Sequence, residues 1–293
     1  MRLWVDTDYG FDDLWALLVL RHGGVEVAGI SLVAGNAPLP QVIANAQGAA
    51  RHYGFTAPLH TGADRPLKRA PETAERILGP RGMQSRGAHL PQVDLPPPPF
   101  DAVAALVAWL MAGGDHVLAL GPLTNIARLV QDHPEAAARI QRLVWMGGSD
   151  GPGNHSAAAE FNALADPEAA DIVARAGLPL EVVDLMACRK VTFTPDDLPP
   201  SPPLTADLLG GYLDIGLSRG RPGMAIYDPL AALAITRPEA LRFEPRAMAV
   251  SLAQDDSYGA TTFTAGGAGR TRLATGVDDN AARLCLAALK TVD

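Results

Sequence analysis

The chain carries apolar runs of strand length that do not alternate with polar residues. LWV stands before Asp6, VEVAGISLVAG covers 25–35, HVLALG 116–121, RLVWMGG 142–148, LEVVDL 180–185 and RAMAVSL 246–252. A strand with one wet face alternates. A continuous run is buried on both faces, as in a parallel sheet covered by helices. Helix-length segments separate the runs, at 12–21, 40–53, 101–112, 123–131, 167–176, 204–217, 228–236 and 277–290. The first, DDLWALLVLR, stops at Gly23-Gly24, a plausible glycine stop. Strand and helix in turn predict an α/β fold with a mostly parallel, doubly wound sheet flanked by helices, and a site at the C-terminal strand ends. Proline clusters at 96–100 and 197–203 read as loops rather than linkers, because strand-helix units continue on both sides. Residues 1–293 are expected to form one domain.

Bulk composition narrows the partners. The chain has 293 residues, 48% apolar and 19% charged, which is ordinary for a globular protein. A net charge of -8 repels nucleic acid and anionic membrane, so neither is expected as a partner. No apolar stretch reaches the roughly 18 residues of a membrane span. The opening MRLWVD lacks the apolar region and cleavage site of a signal peptide. Cys188 and Cys285 show no paired spacing and are expected to be reduced thiols in a cytoplasmic protein.

The stretch DTDYGFDD places Asp6, Asp8, Asp12 and Asp13 where the first strand ends and the first helix begins. Gly10 between them is expected to make a tight turn. A helix cap, contributing about 0.5–2 kcal/mol, accounts for Asp12 or Asp13 taken singly but not for all four. Carboxylates this close raise one another's pKa or push apart. A bound cation or hydrogen bonds to a polyol relieve this. An all-oxygen set without Cys or His points to a hard cation, Ca²⁺ or Mg²⁺. Phosphatases of the haloacid dehalogenase class also open with an apolar run and D-x-D, the first Asp being the nucleophile. Their pattern continues with Thr or Val where this chain has Gly10.

Further motifs decide between these. AGN stands at 34–36, ANAQ at 44–47, ALGPLTNI at 119–126, WMGGSDGPGNHSAAAEFNALADPE at 145–168 and YDPLA at 227–231. Together with D-x-D-x-G-x-D-D they resemble the inosine-uridine-preferring nucleoside hydrolases, calcium-dependent enzymes that release free base and ribose from ribonucleosides. The resemblance runs from residue 3 to about residue 290. It implies a Ca²⁺ cofactor on Asp8, Asp13, Asp228 and the backbone carbonyl of Leu120. It makes Asp8 the general base for a metal-activated water and Asp6 a group that orients the ligands. Asp12, with Asn36 and Asn162, would hold the ribose 2′- and 3′-hydroxyls, and Asn154 and Glu160 the 5′-hydroxyl. Met146 would line the sugar pocket and Phe161 the ribose-base pocket. The transition state would be oxocarbenium-like, a cation that suits a nest of carboxylates. The small-molecule partner is a nucleoside, and the resemblance implies a homodimer or homotetramer.

The chain departs from the family at the leaving group. Many members carry His-Asp where this one has Tyr227-Asp228, and that His is their usual acid. A second His-Gly pair aligns with Arg81-Gly82, and His89 is the nearest histidine. Tyr227 is expected to donate from its hydroxyl, to stack on the base or to serve as pocket wall only. Purine-specific members place Trp before this Asp, so a lean toward purines is expected. Arg81, Arg86 or His89 of loop 79–93 are candidates to close over the base. His155 alone of the remaining histidines lies inside a site motif. Trp4, Trp15, Trp109 and Trp145 are expected in the core. A sugar- or nucleoside-binding homologue with altered catalysis, or a hydrolase of another N-riboside, are the competing readings.

Overall fold

The computed structural model describes residues 1–266 and 269–290. Its strands are β1 (Arg2–Thr7), β2 (Glu26–Leu32), β3 (Leu59–Thr61), β4 (His116–Ala119), β5 (Arg142–Met146), β6 (Leu180–Val183), β7 (Thr192–Phe193), β8 (Met224–Ala225), β9 (Leu241–Val250), β10 (Thr261–Ala265) and β11 (Arg272–Val277). Nine form one sheet in the order β10-β9-β11-β6-β5-β4-β1-β2-β3, and β7 pairs with β8 apart from it. From β3 to β11 every neighbouring pair is parallel. Only β9 runs the other way, antiparallel to β10 and β11.

The apolar runs became the parallel core because both faces are covered. Leu3 and Val5 point into one layer and Trp4 into the other, as the two-residue period of a strand requires. On the first side pack α1 (Phe11–His22), α2 (Leu39–Tyr53) and, from later in the chain, the helices 203–217, 228–236 and 281–287. On the second pack α3 (Ala102–Met111), α4 (Thr124–Asp132) and α5 (Pro167–Arg175). We label the three later helices α6 (Pro203–Leu217), α7 (Asp228–Thr236) and α8 (Ala281–Ala287). Trp4, Trp15 and Trp145 are buried and Trp109 packs partly buried beside them, as expected. No helix among the described residues is long and apolar enough to cross a membrane.

Two sequence expectations need correction. The segment 277–290 is not helical throughout: β11 extends to Val277 and α8 begins at Ala281. The run RAMAVSL does not join the parallel core: it falls in β9, antiparallel to both neighbours, with Arg246 to Met248 half-buried and Ala249 exposed, and β10 beside it alternates because it is half-exposed. In β10, Thr261 and Phe263 are buried while Thr262 and Thr264 face solvent.

A buried carboxylate ties this edge to the parallel sheet. Glu181 of β6 accepts from Arg142 of β5 at 2.8 and 2.7 Å and from Arg272 of β11 at 2.8 Å. Removing it takes the carboxylate from two guanidiniums, each of which keeps one backbone carbonyl. Glu181→Ala is therefore expected to cost about 2–3 kcal/mol in urea denaturation.

Candidate active site

The strand order 3-2-1-4-5-6 reverses between β1 and β4, and ligands of open α/β sheets bind in the crevice at that point. Asp8 follows β1 and Leu120 follows β4, so both stand at this crevice. Asn36 follows β2, Met146 ends β5 and Asp228 begins α7.

Asp13 and Asp228, two of the expected ligands, stand together, and the carboxylate that completes the cluster is Asp12 rather than Asp8. Asp12, Asp13 and Asp228 each present an oxygen, all within 4.8 Å of one another. Asp8 and Asp13 lie close enough for a direct side-chain interaction. Asp12 thus joins the group at least as closely as Asp8, although the resemblance had cast it as a sugar ligand only. Burial first, then the neighbouring Asp13, holds Asp8, Asp12 and Asp228 above the ordinary carboxylate range, Asp12 at about 7. This all-oxygen, mutually repelling set fits a hard cation.

The backbone around the set is specialised. Tyr9, not Gly10, takes the left-handed conformation (φ 45°), which is uncommon for a bulky residue. Its carbonyl accepts from Asn45 of α2 at 3.1 Å, so the ANAQ segment clamps the turn. Gly10 is needed for space: a Cβ there would lie 2.6 Å from Asn36 Nδ2. Its N–H donates to Asp13 Oδ2 at 2.7 Å, so Asp13 also caps α1, as a lone aspartate there was expected to do.

Asp8 is held by Asn36, whose backbone N–H donates to Oδ2 at 2.7 Å and whose Nδ2 donates to Oδ1 at 3.0 Å. Asp6 lies inside β1 rather than at its end, fully buried. It accepts from Ser31 and from Asn125 Nδ2, the latter at 2.8 Å. Its other oxygen has no hydrogen-bond partner, and burial lifts the carboxyl to about 6. Asn125 is the asparagine of GPLTN, so that motif supports the first strand from the start of α4. No local feature of the sequence marks Asn125 for this role.

The remaining residues line one cleft with Asp8, Asp12 and Asp228. Asn162 donates to the Leu120 and Met146 carbonyls at 2.8 and 2.9 Å. Asn154 accepts from the Phe161 N–H at 3.0 Å. Glu160 caps its short helix (Phe161–Ala165), accepts from Gly148 and Ala163 N–H groups, and is pushed by burial to about 7. Tyr227 also lines the cleft, its hydroxyl raised to about 12, chiefly by burial.

The loop 79–93 does not supply the base side. Arg86 is held in a two-bonded pair by Asp214 of α6 at 2.9 and 2.7 Å. Arg81 and His89 line a different depression beside Asn45 and Leu90. The loop is drawn onto α6 by that ion pair and by Asp207, which accepts from the Ala88 N–H. What reaches the cleft instead is His155, bonded to Glu72 and edge-on to Phe161, together with Arg189, Arg219, Arg221 and Tyr212. Tyr212 donates to Asp12 Oδ2 at 3.3 Å. It sits mid-helix in an apolar run, and nothing local marked it as a site residue.

Buried carboxylates and asparagines gathered at the switch point of a mostly parallel sheet define an α/β protein with an all-oxygen, cation-type site at its strand ends. A family profile described as inosine-uridine preferring nucleoside hydrolase matches residues 3–283. The chain is 33% identical over 267 residues to the non-specific ribonucleoside hydrolase RihC of Escherichia coli, covering 89% of this chain and 87% of that one. Its fold matches the purine-preferring ribonucleoside hydrolase from Gardnerella vaginalis with a TM-score of 0.89 at 23% identity, over 100% of this chain and 99% of that one. It matches a plant nucleoside hydrolase with a TM-score of 0.88 at 24% identity, over 99% of each chain. The chain belongs to the nucleoside hydrolase family and is an enzyme of ribonucleoside N-glycosidic hydrolysis; a binding homologue without catalysis is not favoured.

Proposed function

We propose that the chain hydrolyses ribonucleosides with Asp8 as general base, leans toward purines, and uses Ca²⁺ held by Asp8, Asp13, Asp228 and the Leu120 carbonyl. The observation that carries this reading is the meeting of buried carboxylates at the switch point, in one cleft with Asn36, Asn154, Glu160 and Asn162. Ca²⁺ would supply charge balance for the carboxylates and acidify the attacking water.

The chain's own residues divide the remaining work. Asp8, made more basic by burial and by Asp13, takes the proton of the water that attacks C1′. Asp6 keeps β1 and hence Asp8 in register through Ser31 and Asn125. Asp12 binds the 2′- and 3′-hydroxyls, oriented by Tyr212. The Nδ2 groups of Asn36 and Asn162 are already engaged, so their amide oxygens accept from the same diol. Asn154 has its oxygen engaged and offers Nδ2 to the 5′-hydroxyl. Glu160, whose Oε2 caps the helix, meets the same hydroxyl from beside it. Met146 and Phe161 close the apolar walls. The carboxylate floor stabilises positive charge on the ribosyl ring as the bond lengthens. On the resemblance, the working enzyme is a cytoplasmic homodimer or homotetramer.

Ribose release from inosine, adenosine, guanosine, uridine and cytidine, read by a reducing-sugar assay, tests the reading. Purines are expected to lead. Tyr227→Phe separates ring from hydroxyl: unchanged turnover discards the hydroxyl as donor, and a drop of tenfold or more retains it. No release from any of the five would overturn the substrate reading.

A further inference from the structure

The cleft is electrically two-sided. Its floor is carboxylate, with Asp8, Asp228 and Glu160 only 1%, 3% and 3% exposed. Its rim is guanidinium: Arg189 is half-buried, and Arg219 and Arg221 are exposed at the same mouth. In a chain of net charge -8, three arginines at one opening run against the bulk balance. Arg189 is committed, donating to the Pro152 and Gly153 carbonyls at 3.0 and 2.8 Å. Arg221 makes no side-chain hydrogen bond or ion pair among the described residues, and with Arg189 it shares the cleft wall with Tyr227 and acts on that hydroxyl. His155, the cleft-lining histidine among the described residues, is engaged by Glu72.

Hydrolysis of an N-riboside separates charge. The bond from C1′ to the base nitrogen breaks, and its electron pair leaves with the base. The water oxygen bonds to C1′ and its proton passes to Asp8, which returns it to solvent; the departing base anion takes one proton from solvent, giving ribose and neutral base. The floor serves the ribosyl cation, but no floor group serves the departing anion.

We propose that Arg221, on the rim beside Tyr227, stabilises the departing base and selects 6-oxopurine ribosides. The proposal rests on the floor carboxylates being the sugar side, as argued above. A 6-oxopurine presents N7 and O6 as adjacent acceptors, which a guanidinium binds with two parallel N–H groups. Both bonds strengthen as the base gains negative charge, so they favour the transition state over the bound substrate. Adenine places an amino donor where O6 would be, and one of the two bonds becomes a clash of donors.

The test compares kcat/KM for inosine, adenosine and p-nitrophenyl β-D-riboside in wild type, Arg221→Met, Arg219→Met and Asp8→Ala. Nitrophenolate leaves without help, so it isolates the leaving-group contribution. Wild type is expected to prefer inosine to adenosine by about tenfold or more. Arg221→Met is expected to lower the inosine-to-nitrophenyl ratio about 30-fold, less than a buried donor would because the site is exposed, and to level inosine with adenosine. Arg221→Lys should recover only part of the loss, since it keeps charge without the fork. An inosine-to-nitrophenyl ratio unchanged in Arg221→Met overturns the proposal whatever Arg219→Met does. Hydrolysis of both substrates surviving in Asp8→Ala would instead overturn the floor reading on which it rests.

Discussion

Asp8→Ala is expected to lower ribose release from every nucleoside by about a thousand-fold or more while leaving the circular dichroism spectrum unchanged. The magnitude follows from the chemistry lost. A positioned base alone contributes about 10²–10⁴, and the same side chain is proposed to help hold the cation. The fold should survive because the neighbours are rigid on their own elements: Asn36 follows β2, and the tightly packed Gly35 and Gly121 flank the carboxylate. A Cβ on Gly35 would lie 2.1 Å from Asp8 Oδ2, so the site is built around this side chain and an alanine leaves a gap rather than a clash. The measurement is initial-rate ribose release, with urea denaturation beside it. Activity within tenfold of wild type would remove Asp8 from the reaction.

Chelation by excess EGTA is the second large effect. Activity is expected to fall below about a hundredth and to return with added Ca²⁺, and thermal stability should fall with it, by RT ln(1 + [Ca²⁺]/Kd). The pH dependence has a defined sign. Asp6, Asp12 and Glu160 are held at about 6, 7 and 7 in the folded chain, above the roughly 4 of the unfolded state. Between pH 4 and 7 the folded cation-free chain therefore binds more protons than the unfolded one. Its stability is greatest at the low end and declines as pH rises through 6–7. Protons and cation compete for the aspartate cluster, so Ca²⁺ should offset this decline as pH approaches neutrality and bind more weakly as pH falls. Calorimetry at pH 5 and 7.5, with and without the cation, checks both slopes. A cation-free protein that is equally active and equally stable would overturn the metal site.

Much of the fold was legible because the parallel core has to be read on two faces at once. Runs such as LEVVDL and RLVWMGG have no polar alternation to confuse with a surface strand, and β5 and β6 lie where they predict. Edge strand β10 and the inner strand β11 alternate or carry charge, so the same rule passed over them, and helix length alone extended the last helix back into β11. At the site, DTDYGFDD marked the cluster because four like charges in eight residues need an external partner. Asn45 and Asn125 were quoted within motifs, but their work is to hold a carbonyl and a carboxylate contributed by other segments. Tyr212 and Arg221 had no local signal at all. Their importance depends on α6 and the segment after it folding back over the strand ends.

Chain-local chemistry was enough to specify the alternating α/β class, the carboxylate cluster at the end of the first strand, and the matching of the motifs to one enzyme family. These depend on neighbours within a few residues, or on motif order along the chain, and both survive without coordinates. Tertiary structure alone decided which groups share the cleft. It placed Asp12 within 4.8 Å of Asp13 and Asp228, tied Arg86 to Asp214 away from the base side, and brought Arg221 to the mouth. The reason is distance: Asp12 and Tyr212 are 200 positions apart and 3.3 Å apart, and no periodicity or spacing in the chain encodes a contact closed by the packing of the whole sheet.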